Sequence, residues 1–407
     1  MYQTNVTKIF SELDFRNMET RSMAKRRKIA ETVSFEDLPD EIILQIFTHL
    51  EFYDNALASQ VSKRWKWLSE DQFLWRKVKL DGKQVPAKFI EKVLRHGCQY
   101  LGLRGTEITN VSGPNLFSVS NQLKYLSISC DNYFASHHEV LMENLLGATK
   151  SLEKLSIRCD REYDFHFQPT NIIQNNQTLT VLRISSLKSL NFETVQLIFT
   201  NCLQLTEVSL VDCSMSVEAL SFLCNNLTSK LKKLSLFCIC AFDSEDYILG
   251  DEHVIAITNC CPLLEELDLG GQENVVSEVA LSTIIEKLPN LVMLKLPNTA
   301  QIEFPNLLRV RSMPNLKHLR VHVVEKGYNP RDALLEFVAS GASLDLMLDM
   351  FDKLERETPF MKALVKNLPN LKINEGQFDI AHPDPCILSN QRLWEIECKS
   401  THDFYEP

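Results

Sequence analysis

The pattern L-x-x-L-x-L, with other apolar residues allowed, begins at Leu123, Leu152, Leu179, Leu205, Leu231, Leu264, Leu291 and Leu316. Successive starts are 29, 27, 26, 26, 33, 27 and 25 residues apart, and eight copies in phase leave little room for chance. The second and third apolar positions of each copy alternate with polar ones, so a short strand there buries one face and exposes the other. Between copies lie segments such as 217–227 and 278–288, whose apolar residues recur at the helical spacings of three and four. A copy is thus one strand plus one helix. It cannot bury its apolar side alone, so the copies must stack.

A period in the twenties is the leucine-rich-repeat signature. It predicts an α/β fold: a curved solenoid with parallel strands on the concave wall and helices outside. Weaker copies extend both ends. Cys98, Leu101 and Leu103 fit one, and Trp75, Val78 and Leu80 another; Leu346 and Leu348 supply inward residues of a third, and 369–373 the last. The solenoid therefore spans 75–373 in about ten to eleven repeats. The longest interval carries the acidic loop Asp243 to Tyr247, read as a surface insertion. Cys202 and Cys261 stand three residues before a repeat's first leucine, and Cys130, Cys159 and Cys238 follow the strand with inward parity. Buried packing accounts for them, since Cys260-Cys261 and Cys238-Ile239-Cys240 lack zinc-site spacing.

The flanks are different. Residues 1–33 show no sustained amphipathic period and read as a mobile arm. The run Lys25, Arg26, Arg27, Lys28 favours an extended, solvated segment, either a nuclear-import signal or simply a solvated charge run. The tail 374–407 contains Pro383 and Pro385, then an alternation that places Trp394, Ile396 and Cys398 on one apolar face of an extended segment. A terminal cap is the simplest role for it. The net charge of −10 gives no global reason to bind nucleic acid or an anionic membrane. No apolar run is long enough to span a bilayer, and the first residues lack the apolar core of a secretory signal.

Residues 34–80 stand apart from the repeats. Leu38-Pro39 precedes the apolar ladder Ile42, Ile43, Ile46, Phe47 and Leu50, which predicts one helix face from near Pro39. Asp54 is a plausible N-cap for a second helix running to about Val61. Trp65 and Leu68 mark a third, and Leu74-Trp75 closes the module. With its blocks LPDEIILQIF, VSKRW and LW, this stretch resembles the F-box, the three-helix module that plugs a substrate receptor into a ubiquitin ligase. The resemblance implies that Leu38, Pro39, Ile42, Ile43, Ile46, Phe47, Val61, Trp65, Leu74 and Trp75 are the residues from which binding to the linker S-phase kinase-associated protein 1 is drawn. Some of them must instead fill the module's own core. Because Trp75 also opens the first repeat, the two readings together predict one rigid body without a flexible linker.

The direct junction LWRKVKLDGK, the block CPLLEELDL and the tail pair LPNLKI and LWEIEC resemble receptors of the S-phase kinase-associated protein 2 family. That family implies a cyclin-dependent kinase inhibitor as substrate, a tail folded back on the concave face, and a cyclin-kinase-subunit accessory that helps to read a phosphorylated degron. The chain departs from the family in an additional repeat around 334–364, and in Gly270 where an acid that contacts the accessory is expected.

No glycine-rich phosphate loop, H-E-x-x-H or G-x-S-x-G motif is present, and His137-His138 reads as a loop pair rather than a metal site. The reading is a receptor without cofactor, metal or catalysis of its own. Outward strand positions carry Lys77, Lys79, Arg104, Lys154, Arg158, Arg183, Lys233, Lys295 and Arg320 against Glu207, Glu266, Asp268, Asp345 and Asp349. Such a basic excess suits an acidic or phosphorylated peptide; solubility is the other explanation. Arg183, Arg320 and His322 are the preferred anion contacts, Asp268 an alternative contact for a basic accessory, and Trp394 a contact from the tail. The expectation is a substrate-recognition subunit of a Skp–cullin–F-box ligase, nuclear and also cytoplasmic. The alternatives are a receptor for an unrelated substrate and an interaction scaffold outside any ligase.

Overall fold

The structure, a computed structural model, describes residues 35–50, 52–110, 122–130, 145, 147, 149–159, 175–241, 247–271, 276–298, 302, 306, 308–323, 345–350 and 372–374. The chain falls into two compact units, Met1–Leu74 and Trp75–Pro407.

The first unit holds a 3-10 turn at Phe35–Asp37 and helices α1 (Asp40–Thr48), α2 (Phe52–Ala58) and α3 (Lys63–Ser69); a fourth short helix, α4 (Gln72–Trp75), runs across the boundary. Pro39 is the N-cap of α1, one position earlier than a first helical residue, and its carbonyl accepts the amide of Ile43 at 3.2 Å. Asp54 lies inside the first turn of α2 and is not its cap. Ser62 caps α3, accepting the Trp65 amide at 3.1 Å. Ile43, Phe47, Ala58, Trp65 and Leu68 form the core, with Leu38, Leu44, Leu50 and Leu74 packed around it. Phe47 meets Trp65 edge-on at 5.4 Å. Arg64 fastens α3 to α1, donating to Asp40 Oδ1 at 2.8 Å and to the Leu38 carbonyl at 2.5 Å.

The second unit is one parallel sheet of twelve strands, each beside the next repeat's strand. Ten are β1 (Lys77–Lys79), β3 (Tyr100–Leu103), β5 (Tyr125–Cys130), β6 (Lys154–Cys159), β7 (Val181–Ser185), β8 (Glu207–Val211), β9 (Lys233–Phe237), β10 (Glu266–Asp268), β11 (Met293–Asn298) and β12 (His318–Val323); β13 (Asp345–Met350) and β14 (Lys372–Asn374) complete it. Among the described residues, all four weak copies supply a strand to this sheet. The expected loop at 243–246, His137-His138, Trp394, the arm and the tail lie outside the described residues.

Register explains why the repeat works. Leu155, Leu182, Val208, Leu234, Leu267, Leu294 and Leu319 are successive Cα partners and all are buried. A second ladder runs just ahead of the strands. The amides of Lys124, Glu153, Thr180, Thr206, Lys232, Glu265, Val292 and Lys317 each donate to the matching carbonyl of the preceding rung at 2.7–2.9 Å. Helices α6 (Phe192–Asn201), α7 (Val217–Asn225), α8 (Asp251–Cys260) and α9 (Glu278–Lys287) follow β7 to β10, and Asn191, Ser216 and Ser277 cap three of them through side-chain oxygens. Helix α5 (Ala87–Arg95) and a small two-stranded sheet of β2 (Gln84–Pro86) and β4 (Glu107–Thr109) complete the first repeats. Among the described residues no helix is long and apolar enough to cross a membrane.

Candidate functional site

On α1 two apolar stripes run side by side. Ile43 and Phe47, each 1% exposed, point into the core, whereas Ile42 is 41% exposed and Ile46 half-buried. Of the ten residues expected to meet a linker, Ile43, Phe47 and Trp65 are core, and Trp75 is buried in the second unit. There it stacks on His96 at 4.2 Å, with Lys92 Nζ 5.0 Å from its ring centre. These four pack inside the two units. Ile42, Pro39 and Val61, the last at 51%, remain exposed, and Leu38, Ile46 and Leu74 are partly so. Leu57, Trp67 and Phe73 are also exposed and were not among those expected. For Leu57 and Trp67, helical phase relative to Ala58, Trp65 and Leu68 is the signal that could have found them.

On the strand face of the second unit, the charges of β7 to β11 are paired. Arg183 Nε donates to Glu207 Oε1 at 2.6 Å, Lys233 Nζ lies 2.7 Å from Glu266 Oε1, and Lys295 Nζ donates to Asp268 Oδ2 at 2.8 Å. Five adjacent strands, β7 to β11, therefore carry a ladder of alternating sign with no net charge. An anion arriving at Arg183, Lys233 or Lys295 must therefore displace a carboxylate. Asp268 is doubly committed, since its Oδ1 accepts the Gly270 amide at 3.0 Å. Lys154 is half-buried, whereas Arg158 is exposed and pairs with no acid among the described residues. Arg320 and His322 belong to β12 by backbone, and their side chains lie outside the described residues.

Gly270, where an acid was expected, has a packing reason. A Cβ there would lie 3.1 Å from the Phe237 ring, and one on Gly271 would lie 2.3 Å from Cys238 Sγ at a φ of +72°. Phe237 and Cys238 fill the space a side chain would need.

The buried thiols behave as small apolar groups. Burial raises Cys98 and Cys261 to about 12 and Cys202 to about 11, so none is a thiolate near neutrality. His253 is buried between helices: its Nδ1 accepts the Gly250 amide at 3.0 Å and its Nε2 lies 3.0 Å from Ser221 Oγ. Burial lowers its pKa, outweighing the opposite pull of Glu252. Neutral, with Nε2 as the protonated nitrogen, it donates to Ser221. Among the described residues no group of three or more His, Cys, Asp or Glu is placed to hold a metal ion.

The family model described as F-box-like matches residues 35–81. That stretch is F-box-like, and it precedes the leucine-rich repeats in the chain. F-box/LRR-repeat protein 12 from Bos taurus is 39% identical over 62 residues, 15% of this chain and 19% of that protein. Its counterpart from Mus musculus is 41% identical over 59 residues, covering 14% and 18%. The matches thus span under a fifth of these relatives' own length. Among solved structures, the yeast Rad7 and Elc1 complex matches at 14% identity and a TM-score of 0.40, covering 77% of this chain and 96% of that one. An internalin from Listeria monocytogenes matches at 16% and 0.42, covering 82% and 97%.

Proposed function

We propose that the chain is a non-catalytic substrate receptor of a Skp–cullin–F-box ubiquitin ligase. The F-box binds the linker S-phase kinase-associated protein 1, and through it the cullin and RING subunits; the strand face of the solenoid holds a protein substrate. The observation that carries this reading is the division of the F-box's apolar residues. Ile43, Phe47, Trp65 and Leu68 close a core of their own, which leaves Ile42 and Val61 in water. Covering such side chains gains about 1.5–3 kcal/mol each when complete, enough for a few anchors to sustain a complex after association costs. The receptor's contribution to catalysis is proximity: it raises the effective concentration of a substrate lysine near the conjugating enzyme.

Co-purification of the full chain with the linker tests the first step, and failure to bind with the helical signal intact in circular dichroism refutes it. The finer reading is a phosphorylated cell-cycle regulator such as a cyclin-dependent kinase inhibitor, read with a cyclin-kinase-subunit accessory, in the nucleus and the cytoplasm. It is supported by the sequence blocks at the junction and tail and by the basic run Lys25 to Lys28. Depleting the chain should raise the level of such an inhibitor; an unchanged level would leave an interaction scaffold as the better description.

A further inference from the structure

The paired ladder begins at β7. The four strands before it, β1, β3, β5 and β6 in sheet order, carry a different surface. Their outward positions hold four cations, Lys77 and Lys79 on β1 and Lys154 and Arg158 on β6, and no acid. Between these ends the outward residues of β3 and β5 are uncharged. One row of Cα partners reads Lys77, Tyr100, Tyr125, Lys154, and the next reads Lys79, Gly102, Ser127, Ser156. Tyr100 and Tyr125 stack with ring centres 4.3 Å apart and planes 11° apart, and Lys77 Nζ lies 5.5 Å from the Tyr100 ring centre. Beside the rings, Gly102 and the buried Ser127 and Ser156 keep the second row low. Arg104, just after β3, has Asp81 at 3.6 Å, and the two add no net charge.

We propose that β1 to β6 form the docking face for an acidic segment of a protein substrate, whose Asp or Glu residues reach Lys77 and Lys79 at one end and Lys154 and Arg158 at the other. The proposal rests on the strand face being the substrate wall, and names which part of that wall acts and on what. Charge selects the occupant. The outward residues of β1 to β6 are of one sign, whereas those of β7 to β11 pair among themselves, so a polyanion is drawn to the first stretch and not to the second. Distance selects several carboxylates over one phosphate. Three strand steps separate β1 from β6, about 14 Å, which is more than one phosphate can bridge and about the length of four extended residues. The low row of Gly102, Ser127 and Ser156 leaves room for the main chain between the two charged ends. Single-stranded nucleic acid fits less well, because its bases need open aromatic faces. Tyr100 has none, since Tyr125 on β5 and Lys77 on β1 flank it from opposite sides. Burial also lowers the pKa of Lys77, a loss of hydration that an arriving carboxylate offsets.

Fluorescence anisotropy with the full-length chain tests the site. The probe is a labelled twelve-residue peptide of Gly and Ser carrying two Glu-Glu pairs four residues apart. Its companions are the same peptide with Gln for Glu, one with a single phosphoserine and no Glu, and a twelve-nucleotide thymidine strand. The Glu peptide should bind about tenfold or more tightly than each companion, the ratio that several exposed ion pairs command together. Lys79→Glu with Arg158→Glu should remove that preference at an unchanged melting temperature, since both side chains are exposed. The milder Lys79→Gln with Arg158→Gln should weaken binding in the same direction, which separates loss of binding from loss of fold. The same reversal at Lys230 and Lys287, exposed and off the strand face, should leave binding unchanged. Equal binding of the Glu and Gln peptides, binding of neither, or equal or tighter binding of the phosphoserine peptide or the thymidine strand overturns the site. A Glu peptide that ignores Lys79→Glu with Arg158→Glu but is lost on Arg183→Glu would also overturn it, while leaving the substrate-wall reading standing. That reading falls separately if charge reversals on both stretches of the strand face leave ubiquitin transfer to bound substrates unchanged.

Discussion

Ile42 and Phe47 sit five residues apart on one helix, one exposed and one in the core, and substitutions separate them. Ile42→Glu combined with Val61→Glu should cost at least about tenfold in affinity for the linker, with an unchanged melting curve; undiminished capture in a pull-down would contradict the proposed face. Phe47→Ala should instead destabilise the F-box by about 3–5 kcal/mol, read by chemical denaturation, because it opens a cavity beside Trp65. A second residue-scale prediction concerns Gly271. Its φ of +72° and the 2.3 Å approach that a Cβ would make to Cys238 Sγ should make Gly271→Ala cost about 1–3 kcal/mol, and a neutral melting temperature would refute the packing account. The sequence could not tell Ile42 from Ile43, or Ile46 from Phe47, because both stripes are apolar and each satisfies the three-and-four spacing. What decides between them is where α2 and α3 pack, a contact between elements that no local pattern encodes.

At the scale of elements, the strands were legible almost completely, since their inward positions are strictly apolar and recur in phase. The pairing of charges was not. Glu207 is the Cα partner of both Val181 and Lys233, yet its carboxylate reaches diagonally to Arg183, while Lys233 turns to Glu266. Alternation places a side chain on a face but does not choose among the three or four neighbours within its reach. The contact between α7 and α8 was likewise invisible, because Ser221 and His253 lie 32 residues apart. It carries a pH prediction. The His253 pKa lies below its ordinary 6.5 in the folded chain, so the unfolded chain binds the proton more readily. The stability due to this group is complete above about pH 6.5 and is lost as pH falls through the folded value. Between pH 7 and 5 the wild type should lose more thermal stability than His253→Gln, and parallel pH profiles would rule the effect out.

For the whole repeat unit, neighbours matter and distance insulates. Asn176 is fully buried and ties two turns together: its Oδ1 accepts the Leu152 amide at 2.8 Å and its Nδ2 donates to the Thr149 carbonyl at 3.1 Å. Asn176→Ala should cost about 1–3 kcal/mol. In a stacked array where each rung touches only its neighbours, the damage should stay local. Hydrogen exchange should accelerate in β6 and β7 while β10 and β11 keep their protection; uniform acceleration would mean that the array opens as one block.

The buried cysteines give the same array a further property. Cys98, Cys202, Cys224 and Cys261 are free thiols buried in separate rungs or the helices behind them. A closed rung shields its thiol from an alkylating reagent, and a rung that breathes exposes it. The protein therefore carries its own set of chemical clocks, spaced along the stack and needing no engineered label. The order in which they react records which end of the solenoid loosens first, and a bound substrate would be seen as the stretch of clocks it stops.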